Sequence, residues 1–194
     1  MKDIIRNLKL PQETKDFLEK TKIKKKQFES INIKFFDKAQ GFLSDVVEWT
    51  KINDSTLEVL NEEFVSNFLR ELEKFREYYV IAENYNSGNL ITIHASTGEV
   101  YELEHEVTEE VERYFVNSSF AQMYESMKVF KEIKKEVIKL KEKDDLDKLE
   151  LLFEKAEKEL VAIDRKIVIN GDEYNNEFWN GMLSRLREWY FNYK

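Results

Sequence analysis

His94 and His105 are the only imidazoles in the chain, and Glu102, Glu104 and Glu106 stand close to them in sequence. That grouping raises the question of a metal site. A bound zinc needs three or four converging ligands. In an extended segment alternate residues share a face, so Glu102, Glu104 and Glu106 fall on one side and His105 on the other. That geometry works against a compact His/Glu site, and no spacing here matches a known zinc pattern. The expectation is no metal and no cofactor.

Nucleophilic chemistry is no better supplied. There is no cysteine, no Gly-x-Ser-x-Gly and no Ser/His/Asp grouping. Ser118 and Ser119 follow a candidate strand, where capping of the next helix accounts for them. Gly88 and Gly98 are isolated turn glycines rather than a phosphate loop. With 39 acidic residues, no single carboxylate pair is informative. The chain is therefore expected not to be an enzyme.

The acidic run is the more informative charge feature. Glu99, Glu102, Glu104, Glu106, Glu109, Glu110 and Glu112 fall within fourteen residues with no Lys or Arg among them. Such a concentration repels itself. One reading is a solvated edge and loop; the functional reading is a docking surface for a basic partner, since charge complementarity raises association rate and specificity. Charge on an edge strand also blocks unwanted strand pairing. Among the aromatics that could anchor a contact are Trp49, Trp179, Trp189, Tyr85, Tyr101 and Tyr124. Trp179 suits the core, whereas Tyr85 sits in a turn, where an aromatic has less structural reason to be.

Composition limits what the rest can be. The chain has 194 residues with net charge −8, 36% charged and 13% aromatic. That length supports one good core, and the aromatic content argues against disorder. Absence of cysteine excludes disulfides and suits a reducing cytoplasm. The first residues do not read as a signal peptide, and no apolar stretch approaches the ~20 residues of a membrane span. The basic run Lys20, Lys22, Lys24, Lys25 and Lys26 reads as a solvated helix end and loop rather than a nucleic-acid surface.

The elements that must position these residues follow from periodicity. Strands are expected at 79–83, 90–94, 99–104 and 113–117, joined by turns at 84–89 and 96–99. Ile91 and Ile93 point one way, Leu90, Thr92 and His94 the other. Short turns between successive strands imply an antiparallel meander. Residues 31–36 suit a further strand and Gln12 to Lys20 a helix with Thr14, Phe17 and Leu18 inward. Phe64, Phe68, Leu72 and Phe75 recur at helical spacing, giving a helix over 62–77; Asp45 to Ile52 is less regular. From Ser119 the chain turns helical. Phe120, Met123, Met127, Phe130, Val137 and Leu140 line one face, and a break follows at Lys141 to Asp145. A second helix, capped by Asp144 or Asp145, carries Leu149, Leu152, Phe153, Ala156 and Leu160. Lys166 to Ile169 reads as extended with a turn at Asn170-Gly171, and Asn175 or Asn176 caps a last helix. The reading is a single α+β domain over 1–194, with a mostly antiparallel sheet of four to six strands, helices around it and a helical C-terminal third.

Gly88 to Ile93, Thr97 to Tyr101 (Thr-Gly-Glu-Val-Tyr) and Phe115 to Met123 (opening Phe-Val-Asn-Ser-Ser) together resemble the SUKH superfamily, closest to its fourth group of bacterial immunity proteins. Leu10-Pro11 with Thr14, Phe17 and Leu18 resembles the first helix of that family, and Phe178-Trp179 with Met182 and Leu183 its closing helix. Where such proteins often turn through a Gly-Leu-Pro type segment, this chain reads Thr21 to Lys26. The resemblance implies a cytoplasmic immunity protein, a monomer or weak dimer, that binds and blocks a cognate toxin domain. A nuclease or deaminase toxin would be basic, because it must hold a polyanion. The alternative is an adaptor or regulatory scaffold of the same fold, unrelated to toxins.

Overall fold

The structure, a computed structural model, describes residues 2–104, 111–141, 146–167 and 177–192. In chain order the helices and strands are α1 (Lys2–Asn7), α2 (Gln12–Lys20), β1 (Ile33–Phe35), α3 (Val46–Asn53), α4 (Glu62–Leu72), β2 (Tyr78–Asn84), β3 (Leu90–His94), β4 (Val100–Leu103), β5 (Arg113–Asn117), α5 (Phe120–Lys141), α6 (Leu146–Ile163) and α7 (Glu177–Asn192). The five strands form one antiparallel sheet in the order β1-β2-β3-β4-β5. The expected meander and the α+β class are present, and the strand expected over 31–36 is confined to Ile33–Phe35.

Alternation along β3 explains the layering. Ile91 and Ile93 enter one core with Val100, Val116, Phe120, Met123 and Trp179. Leu90 enters a second with Val80, Leu103, Phe68 and Leu72. The sheet is thus buried on both faces, by α5 and its neighbours on one side and by α3 and α4 on the other. β-Bulges adjust the phase. The register shifts between Val80 and Ala82, so Ile81 and Ala82, although adjacent, both belong to the larger core. A second shift falls between Val100 and Tyr101.

Residues 21–45 take a path the sequence pattern did not show. A 3-10 turn at Glu29–Ile31 ends in Asn32 with a left-handed backbone (φ 63°), which Asn tolerates. After β1 the chain returns to the edge of β2: Leu43 donates to Val80 O at 2.7 Å, and Val80 donates back to Ser44 O at 2.9 Å. Asp45 then caps α3, its carboxylate accepting from the Val47 and Glu48 amides, each at 3.1 Å.

The helical third follows the expected faces. Phe120, Met123, Met127, Phe130 and Val137 are buried along α5, and Leu149, Phe153, Ala156 and Leu160 along α6. Ser119 caps α5, its Oγ accepting from Gln122 N at 3.3 Å. Ser118 does something else. Its amide (2.6 Å) and hydroxyl (2.9 Å) both donate to Asp164, which follows α6 and is buried. Asn117 Nδ2 (3.2 Å) and Lys166 N (3.1 Å) complete that carboxylate's donors. Trp179 of α7 is fully buried, and its indole N–H reaches Val116 O (3.2 Å) and Asn117 Oδ1 (3.1 Å). Helix α7 is thereby tied to the outer edge of β5.

Gly98 shows why the β3–β4 turn needs glycine. Its φ is +74°, and a Cβ there would lie 2.9 Å from Thr14 Oγ1 and 3.1 Å from Pro11 Cγ. The turn packs directly on the start of α2. Among the described residues no helix is long and apolar enough to cross a membrane. The expected caps at Asp144 or Asp145 and at Asn175 or Asn176, and the turn at Asn170-Gly171, lie outside the described residues.

Candidate partner-binding end of the sheet

Pairing register decides which of the expected contact residues share a location. Glu83 pairs with Leu90, Leu90 with Leu103, and Glu104 N donates to Glu112 O at 2.9 Å. The β2–β3 turn that carries Tyr85 therefore lies at the same end of the sheet as Glu104 and Glu112. Glu99 lies at the other end, in the turn after β3. At about 3.4 Å per residue, five residues of strand separate it from Glu104 by roughly 17 Å.

Glu99 is also already engaged. Its carboxylate receives Lys166 Nζ at 2.8 Å and the Tyr101 hydroxyl at 2.9 Å. Lys166 chiefly, with Tyr101 and Thr97, holds it below the usual carboxylate range.

Glu102 corrects the picture of a continuous acidic face. It is buried, 6% exposed, on the same side of the sheet as Ile91, its register partner. Its Oε1 accepts Asn84 Nδ2 at 2.8 Å and Ser87 Oγ at 2.7 Å. A carboxylate inside a sheet is tolerable because donors meet it. Both donors belong to the Tyr85 turn, so Glu102 serves to shape that turn rather than to face a partner. Glu106, Glu109, Glu110 and His105 lie outside the described residues.

The Tyr85 turn is tightly specified. Asn84 Oδ1 accepts from Asn86 N at 3.1 Å, a side-chain mimic of a backbone turn. Gly88 (φ +75°) donates to Asn84 O at 2.8 Å. Tyr85 N donates to Asn32 O at 2.8 Å, and Asn32 Nδ2 to Asn86 Oδ1 at 2.7 Å. On this frame Tyr85 is 48% exposed. Lys34 Nζ stands 5.0 Å from its ring centroid, and the ammonium is raised above its ordinary value, first by side-chain hydrogen bonding to Tyr85.

The other aromatics named from sequence are committed elsewhere. Trp179 is core. Trp49 donates to Gln40 O at 2.9 Å and packs on Phe36. Tyr124 packs edge-on to Phe17 and Phe28, Tyr101 to Tyr78 and Phe115, and Trp189 lies under Lys141, 4.1 Å from its ring centroid.

Beside Tyr85's end of the sheet, Tyr114 bridges the acidic pair. Its hydroxyl donates to Glu112 at 2.5 Å, with Glu104 at 3.3 Å. That hydroxyl is held well above the ordinary tyrosine range, first by the Glu112 hydrogen bond and then by burial. Arg113, the nearest cation in sequence, turns away: it donates to the Tyr78 hydroxyl and lies over the Tyr101 ring at 5.4 Å. The end therefore presents an aromatic ring with the Lys34 ammonium over it and, across the sheet, two hydrogen-bonded carboxylates.

His94 lies at the far end, its Nδ1 near Thr97 Oγ1 (3.1 Å) and Ser96 Oγ (3.3 Å). Among the described residues no three His, Cys, Asp or Glu side chains group as a metal site. Sequence reasoning placed Asn84 and Ser87 in the turn but not as donors to Glu102, and it missed Asn32 and Lys34, which hold the turn and its tyrosine from β1's side. Comparison with protein-family models, curated proteins and solved structures finds no match to this chain.

Proposed function

We propose that this chain is a cytoplasmic immunity protein that binds a basic toxin domain through the Tyr85 end of its sheet and blocks it. The observation that carries the reading is an exposed tyrosine on a turn pinned from within by Glu102, at the same end as the Glu104 and Glu112 carboxylates. A rigid aromatic loses little entropy on binding and makes a natural hot spot. The neighbouring carboxylates steer a cationic partner toward it. The resemblance of Gly88 to Ile93, Thr97 to Tyr101 and Phe115 to Met123 to SUKH immunity proteins supports the same role. The acidity of the whole chain suits a toxin that must itself hold nucleic acid.

The test is a growth competition. A strain lacking this gene is grown in contact with its parent, with the gene restored on a plasmid in one arm. The reading expects the deletion strain to be inhibited, the restored strain protected, and Tyr85→Ala to protect less. Equal growth of deletion strain and parent would contradict it and favour an adaptor role.

A further inference from the structure

On the helical side of the Tyr85 turn, α5 and α7 enclose a cleft of about 210 Å³ with the 3-10 turn before β1. Its apolar lining comes from Ile31, Phe130, Met182, Leu186 and Trp189. Its polar groups are Lys134, Arg185, Asn32 and Asn86. Among the described residues no carboxylate lines it, although the chain has 39 acidic residues and a net charge of −8.

The two cations have no carboxylate partner among the described residues. Arg185 is exposed and, like Arg70, Arg113 and Arg165, reaches none. Among the described residues Lys134 Nζ finds only the Ser30 carbonyl, at 2.7 Å, and burial pushes its ammonium below the ordinary lysine value. Asn86 spends its Oδ1 on Asn32, which leaves its amide N–H₂ to donate.

We infer that this cleft is a binding site for a compact organic carboxylate. An apolar cavity of about 150 Å³ holds a benzene molecule, so the cleft has room for one ring or a short aliphatic body. The guanidinium of Arg185 offers the paired donors that a carboxylate accepts, and Lys134 supplies the second positive charge. An apolar lining with a few converging polar groups is the general form of a small-ligand site. The inference does not rest on the toxin reading; the cleft shares Asn32 and Asn86 with the frame of the Tyr85 turn.

The test is a titration of ¹⁵N-labelled full-length protein at constant ionic strength, following the Trp189 indole N–H. The probes are phenylacetate and its neutral isostere phenylacetamide. Phenylacetate is expected to shift the Trp189 signal saturably and phenylacetamide to bind at least about tenfold more weakly, the scale of one charged hydrogen bond. Arg185→Gln is expected to weaken phenylacetate by a similar factor, and the distant Arg165→Gln to leave it unchanged. A second pair, acetyl-Gly-Gly-Phe with a free or an amidated C-terminus, separates the sources. Tighter binding of the free-acid peptide than of phenylacetate assigns the cleft to a chain end, weaker binding to a free acid, and either supports the anionic site. No saturable shift, equal binding of acid and amide, or an unaffected Arg185→Gln variant would overturn it. None of these outcomes depends on the growth competition.

Discussion

Asn84 and Glu102 are joined side chain to side chain at 2.8 Å inside the sheet, both almost fully buried. They lie on strands separated by β3. The bond therefore ties the turn carrying Tyr85 to the start of the acidic segment. Glu102→Ala is expected to destabilise the fold by about 2–3 kcal/mol, because Asn84 and Ser87 lose their acceptor. Glu102→Gln, which keeps an acceptor oxygen, is expected to cost less. Urea denaturation gives the energies. Hydrogen exchange is expected to rise at residues 85–88 before it rises in β3.

Asp164 plays the corresponding role in the helical third. It gathers the Ser118 amide and hydroxyl, Asn117 and the Lys166 amide. Asp164→Ala is expected to cost about 3 kcal/mol by leaving buried donors unpaired. Ser118→Ala, losing one bond, is expected to cost about 1 kcal/mol. Denaturant midpoints at equal m-value distinguish the two.

Alkaline pH is expected to loosen the sheet. Burial, and then the bond to Glu99, pushes the Tyr101 hydroxyl up to about 12, and Tyr114 is raised as well. An unfolded tyrosine loses its proton near ~10. The unfolded chain therefore releases these protons first. Stability is complete below pH ~10 and falls as pH rises toward the folded value near 12. The double variant Tyr101→Phe with Tyr114→Phe is expected to flatten that fall, as read from urea midpoints between pH 8 and about 11.5.

Much of the fold was legible because its signals are local. The period-two pattern of Leu90 to His94, the glycines at 88 and 98 and the seryl cap at 119 each declare an element within a few residues. The edge pairing of Leu43 and Ser44 with Val80 was not, since nothing local specifies a partner nearly forty residues away. Helix α3 was missed because eight residues give barely two turns of period. The site was half legible. Tyr85 stood out as an aromatic in an Asn-rich turn. The acidic run looked continuous, yet strand geometry sends Glu99 to the opposite end and Glu102 inward. Burial of Glu102 follows from donors at Asn84 and Ser87, which approach it only across β3.

The charge pair is expected to act on encounter. Against the basic toxin domain that the proposed function requires, Glu104→Gln together with Glu112→Gln is expected to lower the association rate at low salt and to flatten its salt dependence. The dissociation rate is expected to change little. Stopped-flow association at two ionic strengths reads both.

The dissociation rate of Tyr85→Ala from that toxin domain tests the central claim most directly. Nanomolar protection requires about 12 kcal/mol, which rim charges do not supply alone, so a desolvated anchor must contribute. The account predicts that Tyr85→Ala leaves association nearly unchanged and speeds dissociation at least about thirtyfold, the 2 kcal/mol expected of a hot spot. A variant that dissociates at the parent rate would contradict the account and place the contact away from this end of the sheet.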